Sequence, residues 1–543
     1  MQTNIDDVSL AKLPLDSICF DDLRENDQIY VDKTKLIAEF AQLKATYFLA
    51  RPRRFGKSLL IDILADLFSN GLKNFKGLAI ENIWNDKTYN ILRINFSSFS
   101  IYNAKKIKQL LVDELLEKTG FVGKIEKYDD NGEYVEPGVV LKKFAENIPN
   151  RSYVLLIDEY DAPFTHHLDN QNELQEITKI IDNFYYALKE CSHKFRLIFI
   201  TGITRVSHIS LFSDFNNLVE LTGKKNYADI LGITQDELKK YFHRYIERAA
   251  KILAMTTDDV YTALKLRYDG FKFAINADQT LYNPWSIINF LLYPEDGFKN
   301  YWFDSGGTPS ILVNYLKINK NFNIWEYKNR QFTITEDELS AKSEIINISP
   351  KLLLIQAGYF TINSSGQSYA KLYFPNTEVE ESVLRLYLST NNIKVTDETL
   401  MSIDKICYYI DNHDINNIIK LFNLVLNDCV SPKSKFFNDE CTLRDLIYAI
   451  IPNIQGLLKL KEREYTTGRS DLELITKNVH LVIEFKLTRS NRSAKSSLKE
   501  GISQIQSKRY GEIYFQDKKL FKIVLVASHR EKRILPEFSS EVD

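Results

Sequence analysis

This chain of 543 residues has few cysteines, five in all, and no long apolar run in its sequence. Its cysteines are scattered and form no C-x-x-C pair, which argues against a disulfide framework and against a zinc site. The first residues, MQTNIDDVSLAKLPLD, are acidic and lack the apolar core of a signal peptide. No apolar run approaches the roughly 20 residues that a membrane-spanning helix needs. These absences predict a cytoplasmic protein with no membrane partner.

An excess of charge of one sign is also missing. The 70 Lys and Arg residues oppose 72 Asp and Glu residues, and the formal net charge of -2 excludes a uniformly basic nucleic-acid coat. A hydrophobic content of 44% with 26% charged residues is ordinary for a globular protein. A chain of this length exceeds one hydrophobic core, so we expect about two to four domains.

A strand, a tight loop and a helix follow one another near the N-terminus. TYFLA (46–50) is rich in β-forming residues, and apolar side chains recur at helical spacing in SLLIDILADLF (58–68). The loop between them, RPRRFGKS (51–58), ends like a phosphate-binding loop. In such a loop Lys57 would reach the terminal phosphates of ATP, and the Ser58 hydroxyl would ligate Mg²⁺. The alternative is a basic turn that caps a helix.

The start of this loop departs from the usual pattern. Arg51 stands where phosphate loops commonly have glycine, although Gly56 keeps its place before the lysine. A side chain at position 51 restricts the backbone, and Pro52 removes a donor. We therefore expect a variant path, with Arg53 or Arg54 in contact with phosphate.

Two further strands end in polar residues that suit nucleotide chemistry. YVLLIDEYDAPF (153–164) reads as a buried parallel strand, after which Asp158 would join the Mg²⁺ shell and Glu159 would polarise the attacking water. FRLIFITGITRVS (195–207) places Thr201 and Arg205 where a γ-phosphate sensor would lie. The alternatives are a core strand with an acidic turn and an unremarkable polar turn. With a strand at ILRINFSS (91–98), these segments predict an open, mainly parallel sheet covered by helices.

A second candidate site lies in the last hundred residues. In SDLELITKNVHLVIEFKL (470–487), Asp471 precedes one strand of a predicted hairpin, and Glu484 and Lys486 share a face of the other. The two carboxylates could hold one hard cation, Mg²⁺ or alternatively Mn²⁺, while Lys486 orients water or stabilises the phosphate. An amphipathic hairpin with surface charges would give the same pattern.

The sequence around this hairpin favours a nucleic-acid partner. SSLKEGISQIQSKRY (496–510) is typical of a helix, and FKIVLVAS (521–528) is typical of a buried strand. Between residues 484 and 533, thirteen Lys or Arg residues oppose five carboxylates. A face that binds phosphate needs such a concentration of positive charge, whereas a solvated charged surface is the alternative.

These stretches resemble a family. YVDKT (30–34), RPRRFGKS (51–58), LIDEYDAPF (156–164), TGITRVS (201–207) and LFSDFNNLVELT (211–222) are similar to the bacterial predicted AAA-ATPase-like proteins, which carry a C-terminal PD-(D/E)XK nuclease-like domain. The family also has arginine-proline-arginine-arginine before its glycine-lysine. Similar stretches, including YDGFKF (268–273) and LYFPNTEVEESV (372–383), extend the resemblance over nearly the whole chain.

The resemblance implies an α/β protein of three parts. They are a P-loop (AAA-like) parallel-sheet domain (1–222), a mainly helical lid or transmission region (223–425) and a PD-(D/E)XK nuclease-like α/β domain (426–543). It makes Glu462 and Glu464 candidates for an extra acidic residue on a preceding helix, and Gln504 a candidate contact to the site. Because sites of this ATPase type often lie between subunits, a homo-oligomer is a further expectation.

The sequence leaves several functions open. One is an ATP-dependent nuclease with two phosphate-directed sites. The second is an ATP-switched module that binds nucleic acid or protein without cutting it. A small-molecule kinase is the third, and it would leave the C-terminal domain without a role.

Overall fold

The computed structural model describes most of the chain. The described residues are 12–14, 19–121, 125–168, 170–204, 218–304, 312–313, 332–335, 338, 350–365, 369–390, 395–429, 439–452, 454, 456–513, 515 and 517–542. Among the described helices, none combines the length and the apolar character that crossing a membrane requires.

A parallel sheet of five strands forms the centre of the N-terminal domain, in the order β2-β3-β4-β1-β5. Its strands are β1 (Thr46–Ala50), β2 (Asn90–Asn95), β3 (Tyr153–Asp158), β4 (Phe195–Gly202) and β5 (Leu218–Glu220). Its described helices are α1 (Phe20–Glu25), α2 (Thr34–Ala41), α3 (Lys57–Asn70), α4 (Ala104–Thr119), α5 (Pro137–Glu146), α6 (Ala162–His166) and α7 (Gln171–Cys191). The predicted open parallel sheet is confirmed. The carboxyl ends of β1, β3 and β4 share one edge, which is where ligands bind in such sheets.

The middle of the chain is mainly helical, as the sequence predicts. Its helices are α8 (Gln235–Leu253), α9 (Thr257–Tyr268), α10 (Pro284–Leu292), α11 (Tyr301–Asp304), α12 (Pro350–Gln356) and α13 (Thr377–Thr390). A small antiparallel sheet joins β6 (Phe332–Thr335), β7 (Thr361–Ser365) and β8 (Tyr369–Tyr373). Thr234 and Glu237 cap α8 reciprocally, so the helix starts at its capping box.

The C-terminal domain combines helices with a mixed sheet of order β15-β14-β13-β12-β9, to which β16 adds beside β14. The strands are β9 (Leu458–Lys461), β10 (Glu464–Tyr465), β11 (Gly468–Arg469), β12 (Leu472–Ile475), β13 (Val479–Thr488), β14 (Lys519–Ser528), β15 (Arg533–Ile534) and β16 (Ser540–Val542). The helices are α14 (Asp397–Ile403), α15 (Ile406–Asp411), α16 (Ile415–Cys429), α17 (Glu440–Ile450) and α18 (Asn491–Ser507). The hairpin β12–β13 and the following helix and parallel strand match the expected order.

The hydrophobic cores show how the three parts join. One core continues from the N-terminal sheet into the middle region, where Phe55 of the phosphate-type loop packs edge-on against Phe271 and Phe273. Another core packs the apolar face of α16 against β13 and β14. Residues 425 and 426 both lie within α16, and this core contains residues of α16 on either side of them.

Candidate functional site

The loop between β1 and α3 is held in an unusual backbone path. Arg54 has a φ of 66°, and Gly56, which precedes α3, has a φ of 93°. Both lie in the left-handed region, which glycine enters at little cost and arginine rarely enters. Left-handed residues in a tight turn are typical of the anion-binding concavities that successive backbone N–H groups form. The loop therefore has the character of a phosphate site despite its missing first glycine.

Arg51 is a structural anchor of this loop. Its side chain is buried, and its guanidinium donates to the carbonyl oxygens of Ala50, Thr222 and Tyr227, each at 2.9 Å. The guanidinium also lies 4.5 Å from the centre of the Phe273 ring. Position 51 thus ties the start of the loop to the segment after β5, which explains why arginine replaces glycine there.

Lys57 is folded back onto the loop. Its buried ammonium donates to the carbonyl oxygens of Arg51 and Pro52, both at 2.9 Å. Burial lowers the pKa of Lys57, and the nearby carboxylates of Glu159 and Asp158 oppose that shift. The lysine therefore lies within electrostatic reach of the acidic end of β3, as a nucleotide site requires.

The acidic end of β3 has an unsatisfied oxygen. Asp158 is fully buried; its Oδ1 accepts the Glu159 N–H at 2.9 Å, and its Oδ2 has no hydrogen-bond partner among the described residues. Leaving a carboxylate oxygen unpaired inside a protein is costly, and a divalent cation would remove that cost. Ser58, in the first turn of α3, is the expected second ligand. These residues fit a nucleotide-bound Mg²⁺.

Glu159 is in a strained conformation beside this aspartate. Its φ is 48°, in the left-handed region, where strain at non-glycine residues often marks functional sites. Burial raises the pKa of Glu159, and the charge of Lys57 lowers it. Its role in polarising water stays a prediction.

The neighbouring Asp161 has a role that the sequence did not single out. Its carboxylate accepts the N–H groups of Ile203 and Thr204 and the Thr204 hydroxyl, at 3.1, 2.6 and 2.7 Å. It clamps the turn after β3 to the exit of β4. The Thr201 hydroxyl donates to the Leu49 carbonyl at 2.7 Å, so it is engaged between strands. Arg205 lies outside the described residues.

The two arginines expected on phosphate take different positions. The Arg54 guanidinium lies 4.2 Å from the centre of the Trp285 ring, which directs it toward the middle region. Arg53 lies close enough to Glu159 to lower the pKa of that carboxyl. Its carbonyl oxygen accepts a hydrogen bond from the Trp302 indole at 3.1 Å. Burial lowers the pKa of Arg54, and the charge of Glu159 opposes that shift, so both arginines lie near the acidic end of β3.

An apolar cavity of about 120 Å³ adjoins the loop at Gly56. It lies between the first turns of α3, the segment 29–33 and the segment 230–233. The side chains that line it are mostly aliphatic, and the aromatic rings of Tyr30 and Phe55 complete the lining. The flat face of an aromatic base packs well against such a lining, so this cavity is the candidate place for a nucleotide base.

The C-terminal hairpin brings its acidic residues together. Leu472 of β12 pairs with Ile483 of β13 in an antiparallel register. Asp471, which precedes Leu472, and Glu484, which follows Ile483, are therefore opposite each other across the hairpin. Asp471 Oδ2 accepts the N–H of Phe485 at 2.9 Å. Glu484 is buried, and its Oε1 is 2.9 Å from the Lys486 ammonium. The three residues predicted from the sequence therefore form one cluster.

Glu484 carries the electrostatic signature of this cluster. Burial raises its pKa to about 7, Asp471 adds to the shift, and Lys486 opposes it. Its Oε2 is buried and, within the part of the chain described, accepts no hydrogen bond. A buried carboxylate that has a raised pKa and one oxygen without a hydrogen bond, and that lies beside a second carboxylate, is typical of a cation-binding or catalytic site.

The acid on the preceding helix is Glu440, which the sequence reasoning missed. It is the first residue of α17; its Oε1 accepts the Leu487 N–H at 2.9 Å, and its Oε2 is 3.6 Å from the Lys486 ammonium. The expected helical position of Glu462 and Glu464 is wrong. Glu462 follows β9 and pairs with Arg444, while Glu464 is exposed on β10. The signal in the sequence that could have located Glu440 at a helix start is the cap pattern Asp-Glu-x-Thr, which opens α17.

Helix α18 covers the cluster closely. A Cβ at Gly501 would come within 2.5 Å of Val524 Cγ1 and 3.3 Å of Lys486 Cγ, so only glycine permits this approach. Gln504 forms a side-chain hydrogen bond with Tyr510. Burial raises the pKa of the Tyr510 phenol, and the charges of Glu484 and Asp471 raise it further. Gln504 and Tyr510 thus lie at the border of the site.

The outer face of α18 is basic. Its exposed residues include Arg492, Lys495 and Lys499, which recur at helical spacing, and Arg489 precedes the helix. Lys486, Lys518 and Lys522 belong to the interior. The exposed positive surface therefore has fewer residues than the sequence count suggests, and part of it lies on the helix whose other face packs against Lys486.

A metal would have few protein ligands at this site. In the described ranges, no group of three or more His, Cys, Asp or Glu side chains is arranged to hold a metal ion. Asp471 and the unpaired oxygen of Glu484 fit one hard cation, whose remaining ligands would be backbone oxygens and water.

Comparisons with known proteins agree with both halves of this description. Residues 16–212 match the family model described as predicted AAA-ATPase, and residues 438–537 match that of the PD-(D/E)XK nuclease superfamily. A protein of Azotobacter chroococcum mcd 1, described as an uncharacterized protein in the vnfD 5′ region, is 29% identical over 383 residues, 69% of this chain and 70% of the relative. The structure of the Aeropyrum pernix ORC2 protein (ADPNP-ADP complexes) covers 66% of this chain and 94% of its own at 11% identity. Its TM-score of 0.29 is too low to support an inference.

Proposed function

We propose that this chain, which joins a predicted AAA-ATPase segment to a PD-(D/E)XK nuclease superfamily segment, couples ATP binding and hydrolysis to metal-dependent cleavage of nucleic-acid phosphodiesters. The observation that carries the proposal is the cluster of Asp471, Glu484 and Lys486 around an unpaired buried carboxylate oxygen. An inert hairpin would have no reason to bury such a group, because its burial costs free energy.

At the N-terminal site, the loop amides and Lys57 hold the phosphates of ATP. The Lys57 ammonium exchanges its two carbonyl partners for phosphate oxygens. Ser58 and Asp158 hold Mg²⁺, and Glu159 accepts a hydrogen bond from the attacking water. The apolar cavity beside Gly56 receives the base.

At the C-terminal site, Asp471 and Glu484 hold Mg²⁺ or Mn²⁺, which when bound makes water a better nucleophile and neutralises charge on the phosphate. Burial would lower the pKa of Lys486, but the carboxylate of Glu484 more than offsets this, with Glu440 adding to the rise, so the ammonium stays charged. Lys486 can then stabilise the negative phosphate. The basic face of α18 binds the nucleic-acid backbone.

The test is a matrix of labelled single- and double-stranded DNA and RNA. Each is incubated with Mg²⁺ or Mn²⁺, with and without ATP, using wild type, Lys57→Ala and Asp471→Ala. We expect Asp471→Ala to abolish cleavage and Lys57→Ala to abolish ATP binding. Glu464→Gln is the matched control, since this exposed acid of the same domain should leave both activities unchanged.

Two results would contradict the proposal. Cleavage that survives Asp471→Ala would remove this cluster from the chemistry. Salt-sensitive binding of nucleic acid without cleavage under any metal condition would favour the second candidate, an ATP-switched binding module. The ion pair between Lys486 and Glu484 is the observation in favour of that candidate, because it occupies Oε1, one of the two carboxylate oxygens of Glu484.

A further inference from the structure

Three buried glutamates crowd the first turn and a half of α13. Glu378, Glu380 and Glu381 belong to the stretch FPNTEVEESV, which neither candidate site uses. Glu378 and Glu381 are fully buried and Glu380 nearly so. Buried carboxylates persist only when they are paired, so the positions of their partners show what this helix connects.

Glu378 binds the middle-region helices α10 and α11, and α11 in turn contacts the N-terminal loop. Its Oε1 accepts the backbone N–H of Trp302 at 2.7 Å, and its Oε2 accepts the Ser286 hydroxyl at 2.8 Å. The indole of Trp302 in turn donates to the carbonyl oxygen of Arg53 at 3.1 Å. The start of α13 is therefore linked to the phosphate-type loop through one residue.

Glu380 and Glu381 face the C-terminal domain. Glu381 pairs with Lys459 at 3.2 Å and with Arg267 at 2.8 Å. Glu380 pairs with Lys461, two residues farther along the edge strand β9. Both lysines are buried, so this end of the helix is joined to the C-terminal sheet by charge pairs shielded from solvent.

The pairs continue from β9 to the acidic cluster. Lys461 lies 3.4 Å from Asp445 Oδ1, and the same oxygen lies 3.1 Å from Arg444 Nε. Arg444 Nη1 then lies 3.3 Å from Asp471 Oδ1. The other oxygen of Asp471 accepts the Phe485 N–H. A continuous series of contacts thus runs from the loop at Arg53 to the carboxylate at position 471.

We infer that Arg444 is a positioning residue for Asp471 and that the ion-pair series from α13 makes the placement of Asp471 depend on the state of the phosphate-type loop. This inference rests on the proposed function, in which ATP binds at Lys57 and Asp471 holds the cation. A shift of α13 carries Lys461 with it, because pulling apart the buried pair of Glu380 and Lys461 costs free energy, although Asp445 also contacts the lysine. Nucleotide binding therefore changes the position of the Asp471 carboxylate through its contact with Arg444.

The experiment follows the Phe485 amide, since its hydrogen bond reports the position of Asp471 without requiring cleavage. Residue-resolved hydrogen exchange is measured on the full chain with and without a non-hydrolysable ATP analogue. In wild type we expect the analogue to change the exchange rate of this amide by about fivefold or more, the low end of typical coupling between sites. The paired replacement Glu380→Gln with Lys461→Met removes both charges together and should reduce the change to less than about twofold.

Two further variants guard against loss of folding as an explanation. Glu380→Asp keeps both charges but withdraws the carboxylate by one methylene, and it should weaken the response. Glu512→Gln with Lys522→Met removes a less buried pair, 3.1 Å apart, in the C-terminal domain but outside the series. This control should keep the full response.

The inference would be overturned if the paired replacement kept the wild-type change in the exchange rate of the Phe485 amide. It would also be overturned if the analogue bound to wild type without changing that rate. Failure of the proposed function is visible separately. It would appear as absence of analogue binding or of cleavage in the substrate matrix, neither of which is read from the Phe485 amide.

Discussion

The pH dependence of cation binding at the C-terminal cluster is a sharp test of its chemistry. Glu484 must be ionised to act as a ligand, and a proton competes with the metal for it. Burial raises the pKa of Glu484 to about 7, with Asp471 adding to the rise. Cation affinity should therefore fall as the pH drops through neutrality, well above the range in which an ordinary glutamate titrates.

The size of the effect follows from that pKa. Below pH 7 the ionised fraction of Glu484 falls about tenfold for each pH unit, so the affinity should drop about 100-fold between about pH 8 and about pH 5. A glutamate with the ordinary value of 4.5 would change the affinity by less than about twofold over the same interval.

The assay is calorimetric titration of the full chain with Mn²⁺ across this pH range. Asp158→Asn serves as the parent variant, because it removes a ligand of the N-terminal site. Adding Asp471→Asn should abolish the remaining heat and so assign it to the cluster. A change in affinity of less than about threefold would refute the reasoning, since Glu484 would then titrate as an exposed residue.

Three further predictions concern stability. Because the folded-state pKa of Glu484 is raised, wild type loses stability as the pH rises from about 4.5 to about 7. Glu484→Gln should therefore raise the free energy of unfolding at pH 8 by up to about 3 kcal/mol and leave it unchanged at pH 5. Arg51→Ala should destabilise the N-terminal domain by about 3 kcal/mol in urea unfolding, because it leaves three carbonyl oxygens without their donor. Gly501→Ala should cost about 1–3 kcal/mol in the same assay through its contact with Val524, and Ser497→Ala on the same helix should cost little.

Local patterns in the sequence were sufficient for β1 to β4, the loop after β1, the hairpin of β12 and β13, and β14. The order strand, RPRRFGKS, helix predicts β1, the loop and α3, because each depends on neighbours in the chain. The spacing of Glu484 and Lys486 likewise places them on one face of β13 without knowledge of any other segment.

Contacts between distant segments escaped the same reasoning. The role of Arg51 depends on carbonyl oxygens more than 170 residues away in the chain. Glu440 of helix α17 contacts Lys486 of strand β13, which lies 46 residues later in the chain. Neither position carries a local pattern that reveals its partner.

The sequence by itself determined the two chemical motifs, because a phosphate loop and a paired-carboxylate hairpin are built from residues close together in the chain. Only the tertiary structure decided how they are supported and joined. The buried glutamates of α13 look like an ordinary acidic helix turn in the sequence. Their burial makes the identity of each partner energetically decisive, and burial is a property of the packed chain.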